Sequence, residues 1–249
     1  MRNQDSLFIR YGNFLFCHRN TLFLVILLLL LGGFKPIAPG GNPRLDLYTD
    51  IAGLLVAALG QTIRAIVIGY AYIKRGGLNK KVYADALVTE GIFSHVRNPL
   101  YVGNLLILLG LFIIHNNPWV YLLGLAYFLS AYAAIVAAEE DFLRCKFGQA
   151  YEDYCRDTGR WLPRLQGWRD TLSHMSFNWR RVILKDYSSA YTWMLGSLIL
   201  IAYGRVRDLG EELARPALES LAVLGILLTL VFIGIRYLKK NRILRENPS

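Results

Sequence analysis

The sequence predicts an all-α, polytopic membrane protein with about six transmembrane helices and a central helical hairpin. Of its 249 residues, 54% are hydrophobic, and long apolar runs recur along the chain. This composition is typical of helical membrane proteins. Basic residues flank the apolar runs as they do in cytoplasmic loops, so the net charge of +10 indicates membrane orientation and not binding to nucleic acid.

The N-terminal half begins with two predicted spans. The first runs from about Thr21 to Phe34, and we interpret it as a retained helix because no small-residue cleavage site follows it. The second runs from about Asp50 to Ile73 and carries Gln61 and Arg64 one turn apart near mid-depth. An arginine at that depth faces the bundle or a wet cavity. Two interpretations of Arg64 are open. It either has a structural role, bonded to a neighbouring acid or to helix-end carbonyls, or it has a functional role.

The central hairpin is predicted from two apolar runs, about Pro99–Ile114 and Pro118–Ala138. Only three residues separate them, and so short a link requires antiparallel neighbours. The hairpin therefore brings the residues before Pro99 and the acids after Ala138 to the same side of the membrane.

The C-terminal part is predicted to contain surface helices and a final pair of spans. The segment from Arg144 to Lys185 is basic and contains three tryptophans, a composition typical of the membrane–water interface. The final spans run from about Ala190 to Tyr203 and from about Ala217 to Leu238. The predicted regions are 1–48 (first span), 49–160 (core), 161–189 (interfacial) and 190–249 (last spans and basic tail).

The distribution of charge predicts that both termini are cytoplasmic. The N-terminus, the loop around Lys74–Lys81, the region after Ala138 and the tail are basic, whereas the Lys35–Asp50 loop and the hairpin tip are not. The three cysteines show no metal-ligand spacing, and we interpret them as reduced thiols. The four histidines, which we interpret as surface or interface residues, are His18, His95, His115 and His174.

One polar stretch, Asp85–Gly103, leads directly into an apolar helix. Proline suits the first turn of a helix, so a helix is predicted to start near Pro99. Its first N–H groups have no intrahelical partner and can bind a carboxylate or phosphate, and Arg97 adds a positive charge beside them. Glu139 and Glu140 end the hairpin, where carboxylates near hydrocarbon are costly and indicate a function.

Two linked motifs carry a family resemblance: LVTEGIFSHVRNPLYVGNLLILLG and, at hairpin distance, EEDFLRCKFGQAYEDYC. They resemble the isoprenylcysteine carboxyl methyltransferase and phospholipid methyltransferase superfamily. Its pattern is Leu-Val-x-x-Gly-x-Tyr-x-x-x-Arg-His-Pro-x-Tyr-x-Gly, then Glu-Glu-x-x-Leu and Phe-Gly-x-x-Tyr. Gly60 to Arg64 also match the Gly-Gln-x-x-Arg of bacterial members. The resemblance covers about residues 50–160.

The resemblance implies an integral-membrane methyltransferase that uses S-adenosyl-L-methionine at the cytoplasmic face. The implied partners are membrane lipids and a lipid-like or isoprenoid acceptor, with no nucleic acid and no metal ion. The residues implied to be catalytic are Arg97, Tyr101 and Glu140. The residues implied to bind the cofactor are Asp85, Ala86, Leu87, Val88, Phe93, Asn98, Pro99, Leu100, Tyr101, Glu139 and Glu140.

These residue types suit the groups of the cofactor. Arg97 and the free N–H groups of the helix start can hold its carboxylate. Glu139 or Glu140 can hold its ammonium or ribose hydroxyls, and Tyr101 can lie near its sulfonium. The apolar side chains of the first motif can wall the adenine. Methyl transfer needs no protein nucleophile, so positioning of the acceptor supplies much of the acceleration.

Three positions depart from the family pattern. Asn98 replaces the usual histidine and cannot take up a proton near neutral pH. Asp85 lies where the carboxyl methyltransferase branch often has histidine. Ile135 lies where that branch has an arginine that holds the substrate carboxylate, which argues against a prenylcysteine carboxylate as acceptor.

Two other function classes are open. An NADPH-dependent membrane reductase of the sterol-reductase type is similar over residues 141–154, but such reductases lack the Arg-x-Pro-x-Tyr helix start. A non-catalytic membrane transporter or scaffold would be favoured by Gln61 and Arg64. The identity of the acceptor, methylation at N, O or S, and the oligomeric state are open.

Overall fold

The structure is a computed structural model that describes residues 6–70, 75–78, 81–173 and 175–245. Helices dominate it, and two short strands, β1 (Arg75–Leu78) and β2 (Lys81–Ala84), pair antiparallel with Arg75 opposite Ala84. Short 3-10 turns cover Pro39–Gly41 and Gly91–Ser94. The helices are α1 (Leu7–Gly33), α2 (Pro43–Tyr70), α3 (Pro99–His115), α4 (Pro118–Phe147), α5 (Gln149–Asp157), α6 (Trp168–Ser173) and α7 (Trp179–Lys240).

The helices confirm a polytopic helical membrane protein. By length and composition, α1, α2, α4 and α7 can each cross a membrane, and α3 is a shorter apolar helix. The apolar segments that the sequence predicts are helical where the structure describes them, apart from Phe34, which follows the end of α1. Helix α1 also begins at Leu7 and not at Thr21. The predicted end of the second span at Ile73, and also Lys74, Lys80 and His174, lie outside the described residues.

The long helix α7 is interrupted at Gly210, whose φ of 74° and ψ of 166° are not helical. Glycine adopts such a conformation without a Cβ clash. The two halves contact each other: the Tyr191 and Thr229 hydroxyls are 3.2 Å apart, and Lys239 Nζ donates to the carbonyl of Leu184 at 2.8 Å. Helix α7 is therefore an antiparallel pair. It begins at Trp179, so the predicted interfacial region contains its first turns.

The halves of the central hairpin pack on different partners. The most extensive contacts of α3 are with α2, whereas those of α4 are with α1. Glycines allow the α2–α3 backbones to approach closely, since a Cβ added at Gly60 would lie 2.5 Å from the carbonyl oxygen of Gly103. The same holds for Gly110, where a Cβ would lie 2.5 Å from the carbonyl oxygen of Gly53.

The hairpin tip is fixed by its polar residues. Asn116 ends α3 with a left-handed φ of 51°, and Asn117 caps α4 by accepting from the backbone N–H of Trp119 at 2.9 Å. His115 is buried with Nε2 at 3.0 Å from the carbonyl oxygen of Phe34. His95 is also buried, so neither His115 nor His95 is a surface residue, whereas His18 is exposed.

Candidate active site

The polar stretch leads into α3 as predicted, with Pro99 as the first residue of the helix. Asn98 precedes it and is buried, but its side chain makes no capping hydrogen bond. Its Nδ2 instead donates to the carbonyl of Arg160 at 3.3 Å. Asn98 therefore connects the start of α3 to a distant segment and does not act as a side-chain cap.

That distant segment, residues 154–171, lies along residues 91–98, and we call it the strap. The Tyr154 hydroxyl donates to the carbonyl of Phe93 at 2.7 Å, and the backbone N–H of Arg97 donates to the carbonyl of Gly159 at 2.9 Å. The ring of His95 stacks on Trp168 with centroids 4.5 Å apart. The strap thereby fixes the conformation of the first motif.

Arg97 of the first motif and Glu140 of the second motif lie next to each other. Arg97 NH1 is 3.4 Å from Glu140 Oε1, and Glu140 is only 2% exposed. Arg160 forms a bidentate pair with the same carboxylate. Its Nε donates to Oε1 at 3.0 Å and its NH2 donates to Oε2 at 2.6 Å. Both oxygens of Glu140 are thus occupied by an arginine of the strap.

The charge of Arg97 is stabilised by its surroundings. Arg97 NH1 also donates to Cys155 Sγ at 2.5 Å. Burial is the largest single influence on the pKa of Arg97 and lowers it, but the Glu140 carboxylate, Cys155 and Tyr151 together raise this pKa above its usual value. Burial, and then the charge of Glu140, raise the pKa of the nearby Tyr151 hydroxyl. Arg97 is therefore a permanent cation and Tyr151 a neutral phenol.

Tyr101 and Glu139 form a second contact between the motifs. The Tyr101 hydroxyl donates to Glu139 Oε1 at 2.7 Å and accepts from Arg19 NH1 at 3.1 Å. Tyr101 and Glu139 are both partly exposed, unlike Glu140. Glu139 therefore faces α1 and α3, whereas Glu140 faces the strap.

The apolar residues of the first motif belong to two neighbouring clusters. Phe93 is buried with Ile92 and Val67, and Val88, Leu100 and Trp168 pack against them. Leu87 packs against the cluster that contains Ala84, Leu143, Tyr151 and Tyr154. Asp85 and Ala86 are exposed after β2. Among the described side chains, Arg97 Nε and Trp168 Nε1 are buried N–H groups with no hydrogen-bond partner.

Arg64 belongs to a separate polar cluster inside the bundle. Its guanidinium donates to Asn104 on α3 and to Asp186 on α7. Gln61 Nε2 donates to the same Asp186 at 2.6 Å, and Trp193 Nε1 donates to Gln61 Oε1 at 2.9 Å. The structure thus agrees with a tie between Arg64 and an acid on a neighbouring helix.

Two further features lie apart from these contacts. A groove of about 760 Å³, lined by residues that include Ile37, Asn116 and Tyr121, lies at the hairpin tip, at the opposite end of α3 from Arg97. In the described ranges, no group of three or more His, Cys, Asp or Glu side chains could hold a metal ion. The three cysteines are free.

Sequence reasoning missed several residues around the site. They are Arg19 of α1 and His95, Cys155 and Arg160 around the strap. Arg19 and Arg160 lie outside the two motifs, whereas His95 and Cys155 lie within them but outside the fixed positions of the family pattern. Only Tyr151 carried a signal, as the tyrosine of the Phe-Gly-x-x-Tyr motif, and it is buried beside Tyr154.

Comparisons with known proteins show what the core of the chain is similar to. Residues 48–150 match the phospholipid methyltransferase family. The chain is 31% identical over 130 residues to the cobalt-zinc-cadmium resistance protein CzcN of Cupriavidus metallidurans, covering 51% of this chain and 57% of that protein. It is 32% identical over 122 residues to the protein-S-isoprenylcysteine O-methyltransferase of Tribolium castaneum, covering 47% of this chain and 42% of that protein.

A third relative is the nickel-cobalt-cadmium resistance protein NccN of Alcaligenes xylosoxydans xylosoxydans, which is 27% identical over 164 residues, covering 66% of this chain and 73% of that protein. No solved structure matches the chain. The chain spans about half the length of the first two relatives. These matches support the assignment of the matched core to the isoprenylcysteine carboxyl methyltransferase and phospholipid methyltransferase superfamily.

Proposed function

We propose that the chain is an S-adenosyl-L-methionine-dependent methyltransferase that methylates a lipid-like or isoprenoid acceptor at the cytoplasmic face of the membrane. The observation that carries this proposal is the hydrogen bond of 2.7 Å between Tyr101 and Glu139. It joins the two family motifs, which are about forty residues apart in sequence. The Arg97–Glu140 contact joins them a second time.

The residues present fit the cofactor that this family implies. The unpartnered Nε of Arg97 and the start of α3 suit the carboxylate of S-adenosylmethionine. Glu139 is partly exposed and suits the ammonium or the ribose hydroxyls. Phe93 and Val88 offer an apolar wall for the adenine. The remaining members of the predicted set are Asp85, Ala86, Leu87, Asn98, Pro99, Leu100, Tyr101 and Glu140.

On the acceptor side, this chain would act by positioning. When bound, the cofactor supplies the electrophilic methyl group, and the protein must hold the acceptor in line behind it and exclude water. Tyr101 lies at the junction of α1, α3 and α4 and has a hydroxyl fixed on both sides. Ile135 is fully buried against Leu15 and Phe16, so it offers no charge to a substrate carboxylate.

Thermal stabilisation tests the cofactor and separates the function classes. Purified protein should be stabilised by S-adenosylhomocysteine and not by NADPH, because only a ligand of the native state raises the melting temperature. Arg97→Gln should lose this effect, whereas Arg169→Gln, at an exposed position of α6, should keep it. Stabilisation by NADPH alone would favour the reductase, and no response to either ligand would favour a transporter or scaffold.

Mass spectrometry of lipid extracts identifies the acceptor class. Extracts from cells with the wild-type protein should contain a species heavier by one methylene than a species in cells with Arg97→Gln. Identical extracts would contradict a lipid acceptor.

Cysteine labelling tests the orientation. With the native cysteines replaced, an impermeant probe applied outside intact cells should modify Asn116→Cys but not a cysteine at Ser249, because basic segments stay cytoplasmic. Labelling of the tail from outside would overturn the cytoplasmic placement of the site.

A further inference from the structure

Arg19 of α1 reaches into the candidate site from outside the family-matched residues 48–150. Its NH1 donates to the Tyr101 hydroxyl at 3.1 Å, and its guanidinium carbon lies 4.3 Å from the centre of the Phe16 ring. Stacking on an aromatic ring restricts a guanidinium and adds a cation–π attraction. Arg19 is thus held in place beside the hydroxyl that also contacts Glu139.

Most of the hydrogen-bonding capacity of Arg19 is left over in this arrangement. A guanidinium has five N–H donors, and one of them meets Tyr101. In the part of the chain that the structure describes, Arg19 forms no salt bridge, whereas Arg97 and Arg64 each have an acid. Arg19 is also partly exposed. It is therefore a fixed cation with donors available to a ligand.

The surface next to Arg19 is apolar. After Asn20 and Thr21, which follow Arg19, α1 is continuously apolar, and its outer side exposes Leu24, Val25, Leu28 and Leu29. On its inner side, Leu15 and Phe16 pack against Ile135. A cation that ends an apolar helix surface matches an amphiphile, which has an anionic group at one end and a hydrocarbon chain that lies along the helix.

We propose that Arg19 binds an anionic group, a carboxylate or a phosphate, of an amphiphilic acceptor and places it beside Tyr101. This inference rests on the proposed methyltransferase function, and it assigns acceptor recognition to α1 and not to the family motifs. Arg19 is a binding residue for the acceptor, and Phe16 positions it.

The test uses defined amphiphiles and the full-length protein in phosphatidylcholine nanodiscs. Binding of dodecyl phosphate, dodecanoate and uncharged dodecanol is measured by equilibrium dialysis, with empty nanodiscs subtracted. The variants are Arg19→Gln, Arg19→Lys and, as a matched control on the same helix, the exposed Arg10→Gln. Stabilisation by S-adenosylhomocysteine is measured on the same samples.

The wild type should bind at least one of the anionic probes about tenfold more tightly than dodecanol, as expected for a charge-assisted hydrogen bond. Arg19→Gln should lose this preference, Arg19→Lys should keep part of it, and Arg10→Gln should keep it fully. All variants should keep the response to S-adenosylhomocysteine, because Arg19 is assigned to the acceptor.

Three results would overturn the inference: no anionic preference in the wild type, an unchanged preference in Arg19→Gln, or an equal loss in Arg10→Gln, which would indicate general surface charge. Displacement of dodecyl phosphate by inorganic phosphate at equal concentration would overturn the assignment of an amphiphile. A protein that binds anionic amphiphiles but does not respond to S-adenosylhomocysteine would contradict the proposed function and leave the anion site standing.

Discussion

Two neighbouring acids at the end of α4 face different regions of the molecule. Glu140 faces the strap, is 2% exposed, and has both oxygens bound by Arg160 with Arg97 nearby. Glu139 is partly exposed and accepts from the hydroxyl of Tyr101 on α3. Consecutive residues on a helix point about 100° apart, so two adjacent carboxylates can serve unrelated purposes.

The difference in burial and partners indicates that the two carboxylates have different roles. A buried carboxylate whose oxygens are both occupied by arginine holds structure together, and removal of either partner leaves an uncompensated charge. A partly exposed carboxylate beside a tyrosine is accessible to the hydrogen-bond donors of a ligand. We therefore expect Glu140 to govern stability and Glu139 to govern cofactor affinity.

The largest effect is expected at Glu140. Glu140→Gln removes the counter-charge of the largely buried Arg97. It should lower the free energy of unfolding by about 3 kcal/mol, the low end for a buried pair because Arg160 is exposed. Unfolding in detergent without ligand measures this effect. The control is Glu139→Gln, which should lower the same free energy by about 1 kcal/mol or less. Equal losses in the two variants would refute the comparison.

A smaller effect is expected at Glu139, and it concerns cofactor affinity more than stability. Glu139→Ala should weaken binding of S-adenosylhomocysteine by about 1.5–3 kcal/mol, the magnitude of a lost charge-assisted hydrogen bond. Isothermal titration of the folded variant measures the affinity. A variant that folds and binds as tightly as the wild type would remove Glu139 from the cofactor site.

Asn98→Asp tests the side of the site that faces the strap. Aspartate cannot donate to the carbonyl of Arg160 and places a negative charge beside the proposed carboxylate site, so affinity for S-adenosylhomocysteine should fall about tenfold, or about 1.4 kcal/mol. The control is Asn117→Asp, at the cap of α4 at the far end of the hairpin, which keeps its capping oxygen and should keep its affinity. Unchanged binding in Asn98→Asp would limit Asn98 to a structural role.

The smallest effect is expected from removal of one hydroxyl. Tyr101→Phe keeps the ring but deletes the bridge between Arg19 and Glu139, so the free energy of unfolding should fall by about 1 kcal/mol. Thermal unfolding measures this change, and titration should show a smaller loss of cofactor affinity than in Asn98→Asp. A larger loss of affinity would assign the cofactor contact to the hydroxyl itself.

Local features of the sequence were enough to predict the membrane helices and the hairpin. Hydropathy and length define an apolar helix, the Asn-Pro step starts α3 at Pro99, and the short polar link forces α3 and α4 to reverse direction. The family motifs predicted that Tyr101 and Glu139 belong to one site. Their hydrogen bond fits this prediction, although their contacts with a cofactor remain a prediction.

Only the tertiary structure decided which side chain meets which partner. The partners of Glu139 and Glu140 depend on where α1 and the strap pack. The residues around position 140 do not reveal that packing. The pairing of Arg64 with Asp186 likewise joins residues 122 positions apart. Such pairs form because a buried charge is costly unless a counter-charge lies beside it in the packed structure. The pattern of hydropathy along the chain does not specify which residues come together in this way.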